Sequence, residues 1–447
     1  MNKTILVSLD ALGAKILSDK RVKAPWIRKM IQDGAYVNEL HTIFPSVTWA
    51  IHSTVVTGKY PSGHGMLANR VYNRTTGETI QLFNPLKCLN SELFQAPSIS
   101  GLIKEKGLSC DAICWPLTQG DPGIRHNIPE FYSQEHFESF SSREIWEKLR
   151  ADGLPIERYG EWSAKHHLGP LQDSLTAEIC KYLIRNDMPD LLLTHFLLID
   201  SFLHDYGIGA PETLWAIEYV DRLIGELLQT LESENLINQV NVILFSDHGQ
   251  APVQHEIQIG KLLDEVGLYH WQPVSNGGAV FLYRHNTSGN QTDGIYLNQK
   301  AGEIPQAEQQ VITKCFQDTE WLDRIIWPEQ YPSINFPDIN SENIFLPDAI
   351  LEMKPGYIGG ENRAAEHYKN TSTFKGMHGY KGNLPDMTGF LTAWGPDITK
   401  KMVIEKADMT DIAPTLAKIF DLPEQDWDGK YIDGLLIPEI AAQKIEV

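Results

Sequence analysis

The chain of 447 residues is poor in cysteine, short of basic charge and free of long hydrophobic runs. Its five cysteines, Cys88, Cys110, Cys114, Cys180 and Cys315, are odd in number and scattered, which argues against a disulfide framework and fits a reducing compartment. Cys110 and Cys114 form no CxxC pair, so nothing points to a thiolate zinc site. No stretch approaches the roughly 18 continuous apolar residues that a membrane span requires. The opening MNKTILVSLD carries an apolar run too short and too early for the core of a secretory signal, and it ends on an acid. The expectation is a cytoplasmic protein with no membrane partner. Lys and Arg number 38 against 58 Asp and Glu, a formal charge of -20, whereas nucleic-acid duplexes and anionic membranes both demand a basic face. A phosphate-bearing ligand would have to be drawn by something local, and bound metal cations are the obvious means.

What is present starts with size: the chain exceeds what one hydrophobic core organises, so a large domain with a smaller second one is expected. Residues 5–9, 191–199 and 240–245 are nearly continuous apolar runs, the pattern of buried parallel strands. Asp10, Asp200 and Asp247 follow them. Between the last two runs, Pro211 and Glu212 open an amphipathic helix with Leu214, Ile217, Val220, Ile224, Leu227, Leu228 and Leu231 at three- and four-residue steps. Strands separated by helices predict an α/β fold, a mostly parallel sheet sandwiched by helices, with ligands bound beyond the carboxyl ends of the strands. Residues 251–373 are richer in Pro, Gly, Asn and Gln, with shorter strand-like pieces at 279–283 and 349–353. They are taken as an inserted α+β cap between two parts of the core, 1–250 and 374–447.

The stretch FPSVTWAIHSTVVTGKYPSGHGMLAN, residues 44–69, places one hydroxyl where a helix begins. Pro45 and Ser46 interrupt an apolar run, Trp49, Ile51, Val55 and Val56 follow, and Gly58 stops the helix. Thr48 at its N-terminal edge would meet free backbone N-H groups and the positive end of the helix dipole, which favour an alkoxide and an arriving phosphate oxygen. The alternative is that Thr48 is only an N-cap.

Asp10, Asp200, His204, Asp247, His248 and His378 together supply carboxylate oxygens and imidazoles, the donors zinc prefers in catalytic sites. Six such groups are too many for one tetrahedral ion; with Thr48 they suit two ions sharing a phosphate.

These residues resemble the nucleotide pyrophosphatase/phosphodiesterase family of the alkaline phosphatase superfamily. The likeness is carried by FPSVTWAIHSTVVTGKYPSGHG, by Asp200-x-x-x-His204, by SDHG at 246–249 and by GMHGY at 376–380, in the family's order. It covers residues 1–250 and 374 onward. The resemblance implies an alkaline phosphatase-like core, with Thr48 as nucleophile and two zinc ions. Asp10, Thr48, Asp247 and His248 would hold one ion, and Asp200, His204 and His378 the other. It further implies that Asn69 donates to a non-bridging phosphoryl oxygen and that Trp49 packs against the substrate, its indole stacking on a base; the alternative for Trp49 is a core position. His52 and His64 are read as structural, holding the loop.

Two zinc charges offset by Asp10, Asp200, Asp247 and a Thr48 alkoxide leave the site about neutral. A monoanionic diester can then enter without further cations, whereas a dianionic monoester would want an added Arg or Lys, and none lies within the nucleophile motif until Lys59 and Arg70, which favours phosphodiesters or nucleotide pyrophosphates. The rival is a phosphonate hydrolase resembling phosphonoacetate hydrolase, whose carboxylate-bearing substrate would need cations from Lys261, Arg284, Arg324 or Arg363. Sulfatases are disfavoured because Thr48-Trp-Ala-Ile-His offers no C/S-x-P-x-R, and phosphoglycerate mutases because they use serine. From another class comes a module that binds nucleotide or metal without turnover; retention of every ligand type and of the hydroxyl weighs against it. The sequence leaves the oligomeric state open.

Overall fold

The central sheet has eight strands. In chain order they are β1 (Lys3–Leu9), β2 (Ala35–His41), β3 (Cys110–Trp115), β4 (Asn127–Pro129), β5 (Leu191–Phe196), β6 (Val240–Phe245), β7 (Gly389–Trp394) and β8 (Met402–Asp408). Across the sheet they run β8-β2-β7-β6-β1-β5-β3-β4. Each neighbouring pair is parallel except the two that β7 makes with β2 and β6. The computed structural model describes residues 1–81, 94–286, 296–297, 301–302 and 304–442; Cys88 lies outside the described residues.

The near-continuous apolar runs follow from burial of both faces. In β1, Leu6 joins Leu193 and Phe245 in a core beneath the helices Thr48–Thr57 and Ile412–Ile419. Ile5, Val7 and Leu9 point the other way, to a second core beneath Pro25–Asp33, Gly169–Asn186 and Pro211–Ser233. Each such side chain contributes about 1.5–3 kcal/mol by leaving water, and the two-residue alternation of a strand feeds both layers. One expectation is corrected here. The run 191–199 is not a single strand: β5 ends at Phe196 and a helix, Leu198–Tyr206, begins two residues later. Asp200 therefore sits in the first turn of a helix and not at a strand end. A short apolar run looks the same in a buried strand and in a buried helix start, so periodicity does not mark the boundary.

Residues 251–373 build sheets of their own. Trp271–Asn276, Ala279–Asn286, Ala349–Met353 and Leu322–Ile326 pair antiparallel in that order. In a second sheet, Ala251–Gln258 lies parallel to Gly356–Gly360 and antiparallel to Lys369–Thr371. The same strand also pairs with Gly376–Met377, beyond residue 373. Because Ala251 follows the Asp247-His248 turn directly, its pairing with Met377 delivers His378 beside His248.

Candidate active site

All the sequence-derived ligand candidates converge at the carboxyl edge of β1, β5 and β6. Asp10 follows β1, Asp247 and His248 follow β6, and Asp200 and His204 stand four residues apart on the helix after β5. Thr48 opens a ten-residue helix that is buried along its whole length. Its N-cap is Val47, which makes no side-chain cap, so Thr48 is the first helical residue and not the cap. The N-H next along, that of Trp49, is taken by Asn69 Oδ1 at 2.9 Å. Asn69 thus caps the helix with its oxygen, and its amide NH2 is the part left to donate. Both Asn69 and Thr48 line a cleft of about 670 Å³.

The donor atoms stand at ligand spacing. Thr48 Oγ1 is 3.3 Å from His248 Nε2. His248 Nε2 is 3.5 Å from Asp10 Oδ1 and 3.4 Å from Asp247 Oδ2, and His204 Nε2 is 3.2 Å from Asp200 Oδ2. Atoms bonded at roughly 2.0–2.1 Å to a tetrahedral zinc stand about 3.3 Å apart, so these gaps match the edges of such a polyhedron. Two groups of the expected ligands have all donor atoms within 4.8 Å of one another, Asp10–Asp247–His248 and Asp200–His248–His378, and His52, His195 and Asp247 form a third such group. His248 thus lies within reach of both sets, and His204 joins the second through Asp200. Asp10 Oδ1 and Asp247 Oδ2 are buried without a hydrogen-bond partner, which suits carboxylate oxygens that ligate a cation.

The histidines are turned to ligate. Nδ1 of His204 faces the Gly376 carbonyl at 2.9 Å, Nδ1 of His248 the Gly249 carbonyl at 3.1 Å, and Nδ1 of His378 the Ser46 carbonyl at 2.9 Å. A carbonyl only accepts, so Nδ1 carries the proton and each Nε2 keeps its lone pair, the outer-shell pattern of ligating histidines. The His378 loop is pinned further by Gly379 N-H donating to Ser46 O at 2.9 Å. Gly379 has φ +88°, and a Cβ there would come within 2.0 Å of the Asn276 carbonyl oxygen, so only glycine fits.

Charge is frustrated among these groups. Burial raises Asp10 well above the carboxylate range, and neighbouring Asp200 and Asp247 push the same way. Burial also raises Asp247. It pulls His248 down to about 4 and His378 to about 3. For Asp200 burial pushes upward, but His204 outweighs it and holds the acid low; Asp200 in turn raises His204. A dication would favour the deprotonated form of every one of these groups. The residues therefore fit a metal centre.

Trp49 is held more tightly than a stacking role requires. It is 1% exposed and its indole N-H donates to Glu130 at 3.3 Å, which favours the core alternative, although Trp49 also borders the cleft. The cleft wall also carries Tyr132, half-buried, and Phe374, 38% exposed. His52 bonds the Thr48 carbonyl through Nδ1 at 2.8 Å, and His64 bonds Thr54 Oγ1 at 3.0 Å and Met66 N-H at 3.0 Å, contacts that hold the helix and its exit turn. Sequence reasoning missed Gln250, which donates to the carboxylate and backbone oxygen of Asp200, and the buried pair Glu130 and His195. His195 had a signal, a polar residue inside the apolar run of β5; Glu130 had none.

Arg70 is the one Lys or Arg among the described residues lining the cleft, and Glu361 holds its guanidinium at 2.5 Å. Lys59 pairs with Asp426 and Asp428. The cations a phosphonoacetate site would recruit are engaged as well and do not line the cleft: Lys261 with Glu265, Arg284 with Glu308, Arg324 with Glu352, Arg363 with Asp264.

The chain is similar to known proteins over most of its length. The sequence pattern described as type I phosphodiesterase / nucleotide pyrophosphatase matches residues 4–381. Human ectonucleotide pyrophosphatase/phosphodiesterase family member 1 is 27% identical over 265 residues, 59% of this chain and 25% of the human protein. An uncharacterized pyrophosphatase/phosphodiesterase of Schizosaccharomyces pombe is 25% identical, with 96% of this chain and 79% of the yeast protein covered. A bis(5'-adenosyl)-triphosphatase of Xenopus laevis is 23% identical over the same shares. The chain thus spans most of the yeast and frog proteins but only a quarter of the human one. Among solved structures, murine ectonucleotide pyrophosphatase/phosphodiesterase 5, an inactive form in complex with AMP, superposes with a TM-score of 0.73 over 98% of this chain and 100% of that one, at 19% identity. That likeness establishes the fold.

Proposed function

Because the chain belongs to the type I phosphodiesterase / nucleotide pyrophosphatase family, we propose that it is a two-zinc hydrolase of phosphodiester or nucleotide pyrophosphate bonds with Thr48 as its nucleophile. The observation that carries this is Thr48 Oγ1 at the first turn of its helix, 3.3 Å from His248 Nε2 and in one cluster with the unpartnered oxygens of Asp10 and Asp247. Asp10, Thr48, Asp247 and His248 would hold one ion, and Asp200, His204 and His378 the other. When bound, the ions would lower the pKa of the Thr48 hydroxyl and offset charge on the leaving oxygen. Thr48 Oγ1 then forms its bond to phosphorus as the leaving-group bond breaks, giving a phosphothreonine that water hydrolyses to restore the hydroxyl. Asn69, its oxygen committed to Trp49 N-H, donates from NH2 to a non-bridging oxygen. Tyr132 and Phe374 supply the more open ring faces on the wall where a nucleoside would lie, beside the buried ring of Trp49.

The engaged state of Arg70 favours diesters over monoesters, since among the described residues it is the one Lys or Arg lining the cleft and Glu361 already holds its charge. The test is a zinc-supplemented assay of bis(4-nitrophenyl) phosphate, 4-nitrophenyl phosphate and phosphonoacetate side by side. The diester should turn over fastest. A preference for the monoester or for phosphonoacetate would overturn the assignment.

A further inference from the structure

Glu130, which borders the cleft, and His195 behind it lie outside the ligand sets named above. Glu130 follows β4 and is 1% exposed; His195 is in β5 and fully buried. In β5, His195 shares the parity of Leu191 and Leu193 and so faces the Thr48 helix, its ring centroid 4.5 Å from that of His52. A leucine would continue the pattern; a buried imidazole and carboxylate are costly unless each serves the other.

Their contacts form a chain. Glu130 Oε1 accepts from Trp49 Nε1 at 3.3 Å and Tyr132 OH at 3.4 Å, and Oε2 meets His195 Nδ1 at 2.9 Å. On the far side of the ring, His195 Nε2 has no hydrogen-bond partner and stands 3.5 Å from Asp10 Oδ2. Asp10 thus shows one oxygen to His248 and the other to His195. We propose that Glu130 and His195 are a positioning pair that orients Asp10 as a metal ligand and ties it to the cleft wall at Tyr132. This rests on the reading of Asp10 as a ligand. A Glu130 carboxyl that donates to Nδ1 leaves the imidazole to present Nε2-H to Asp10, and burial pushes Glu130 in the direction of that protonated form. Ligating carboxylates are commonly held by such outer partners, and losing one weakens metal affinity by roughly 10–100-fold.

The test measures zinc affinity of the full chain by competition with a chromophoric chelator, with zinc content at saturation and kcat and KM for bis(4-nitrophenyl) phosphate as further readouts. Asp10→Asn, the control on the underlying reading, should weaken one ion. His195→Phe fills the volume without a nitrogen and should weaken the same ion by roughly 10–100-fold, lowering kcat with little change in KM. Glu130→Leu should behave alike, whereas Glu130→Gln, which can still donate to Nδ1 and accept from Trp49, should stay close to wild type. A packing role predicts wild-type zinc affinity in His195→Phe, and that result beside a weakened Asp10→Asn would overturn the pair. If Asp10→Asn binds zinc normally, the failure lies with Asp10 as a ligand, and the inference falls with it. Loss of a whole zinc equivalent at saturation in His195→Phe would also overturn it, making His195 a ligand with His52 and Asp247, whose donor atoms lie within 4.8 Å of one another. Should His195→Phe fail to fold, the contrast of Glu130→Leu with Glu130→Gln decides.

Discussion

Thr48 owes its place to its neighbours: Val47 starts the helix, Asn69 occupies the adjacent N-H, and His52 one turn on holds the Thr48 carbonyl. None of these contacts needs the Thr48 hydroxyl. Thr48→Ala should therefore abolish diester turnover while circular dichroism and most of the zinc content stay unchanged, and Thr48→Ser should keep part of the rate. Wild-type turnover by the alanine variant would mean that water attacks directly. Trp49 answers to a different logic. Its ring is packed in the core, so Trp49→Ala should cost about 3–5 kcal/mol of stability, the range for deleting a large buried aromatic. The accompanying loss of kcat/KM should be the same for a methyl ester and a nucleotide diester. A loss confined to the nucleotide, with an unchanged melting temperature, would restore the stacking role.

The helix carrying Asp200 and His204 depends on a cap from another element. Its N-cap residue, Leu197, has no capping side chain, and Asp173 of the helix Gly169–Asn186 supplies the acceptors instead, taking the N-H groups of Leu197 and Leu198 at 3.1 Å each. Burial raises Asp173 to about 7 against those two bonds. A folded-state pKa above the unfolded one means that its contribution to stability is complete below about 4 and is lost as pH rises through about 7. In Asp173→Asn that dependence disappears, so the melting temperature of wild type minus that of the variant should shrink between pH 5 and pH 8. A difference that grows with pH would show the carboxylate to be the stabilising form. How much of this was legible follows the same physics. The runs at 5–9 and 240–245, the Gly58 stop at φ +64° and the helix opened by Pro211 could be read because burial and backbone sterics act locally. The break inside 191–199 could not, because strand and helix bury the same leucines there. Asp10, Asp247 and His248 were legible as polar residues closing apolar strands, while Glu130 and Gln250 gain their roles only from partners 65 and 50 positions away.

Over the whole molecule, the candidate ligands draw together pieces remote in sequence: the end of β1, the Thr48 helix, the Asp200 helix, the turn after β6 and the His378 loop that returns from residues 251–373. Hydrogen bonds already join them, His378 to the Ser46 carbonyl and His204 to the Gly376 carbonyl. Without cations, however, the same architecture buries acids that repel one another, which opposes closure. Bound ions would turn that repulsion into attraction and act on the folded state alone, adding about 2.7 kcal/mol when free zinc is a hundredfold above its dissociation constant. Protein purified without chelator should approach two zinc ions per chain by elemental analysis, and chelation should lower the melting temperature until zinc is returned. His378→Ala should empty mainly one site, because Asp10, Asp247 and His248 remain grouped without it. Less than one zinc per chain with full activity would end the two-ion reading. A melting temperature indifferent to chelation would show that the hydrogen bonds between the His378 loop and the core suffice to hold these segments together.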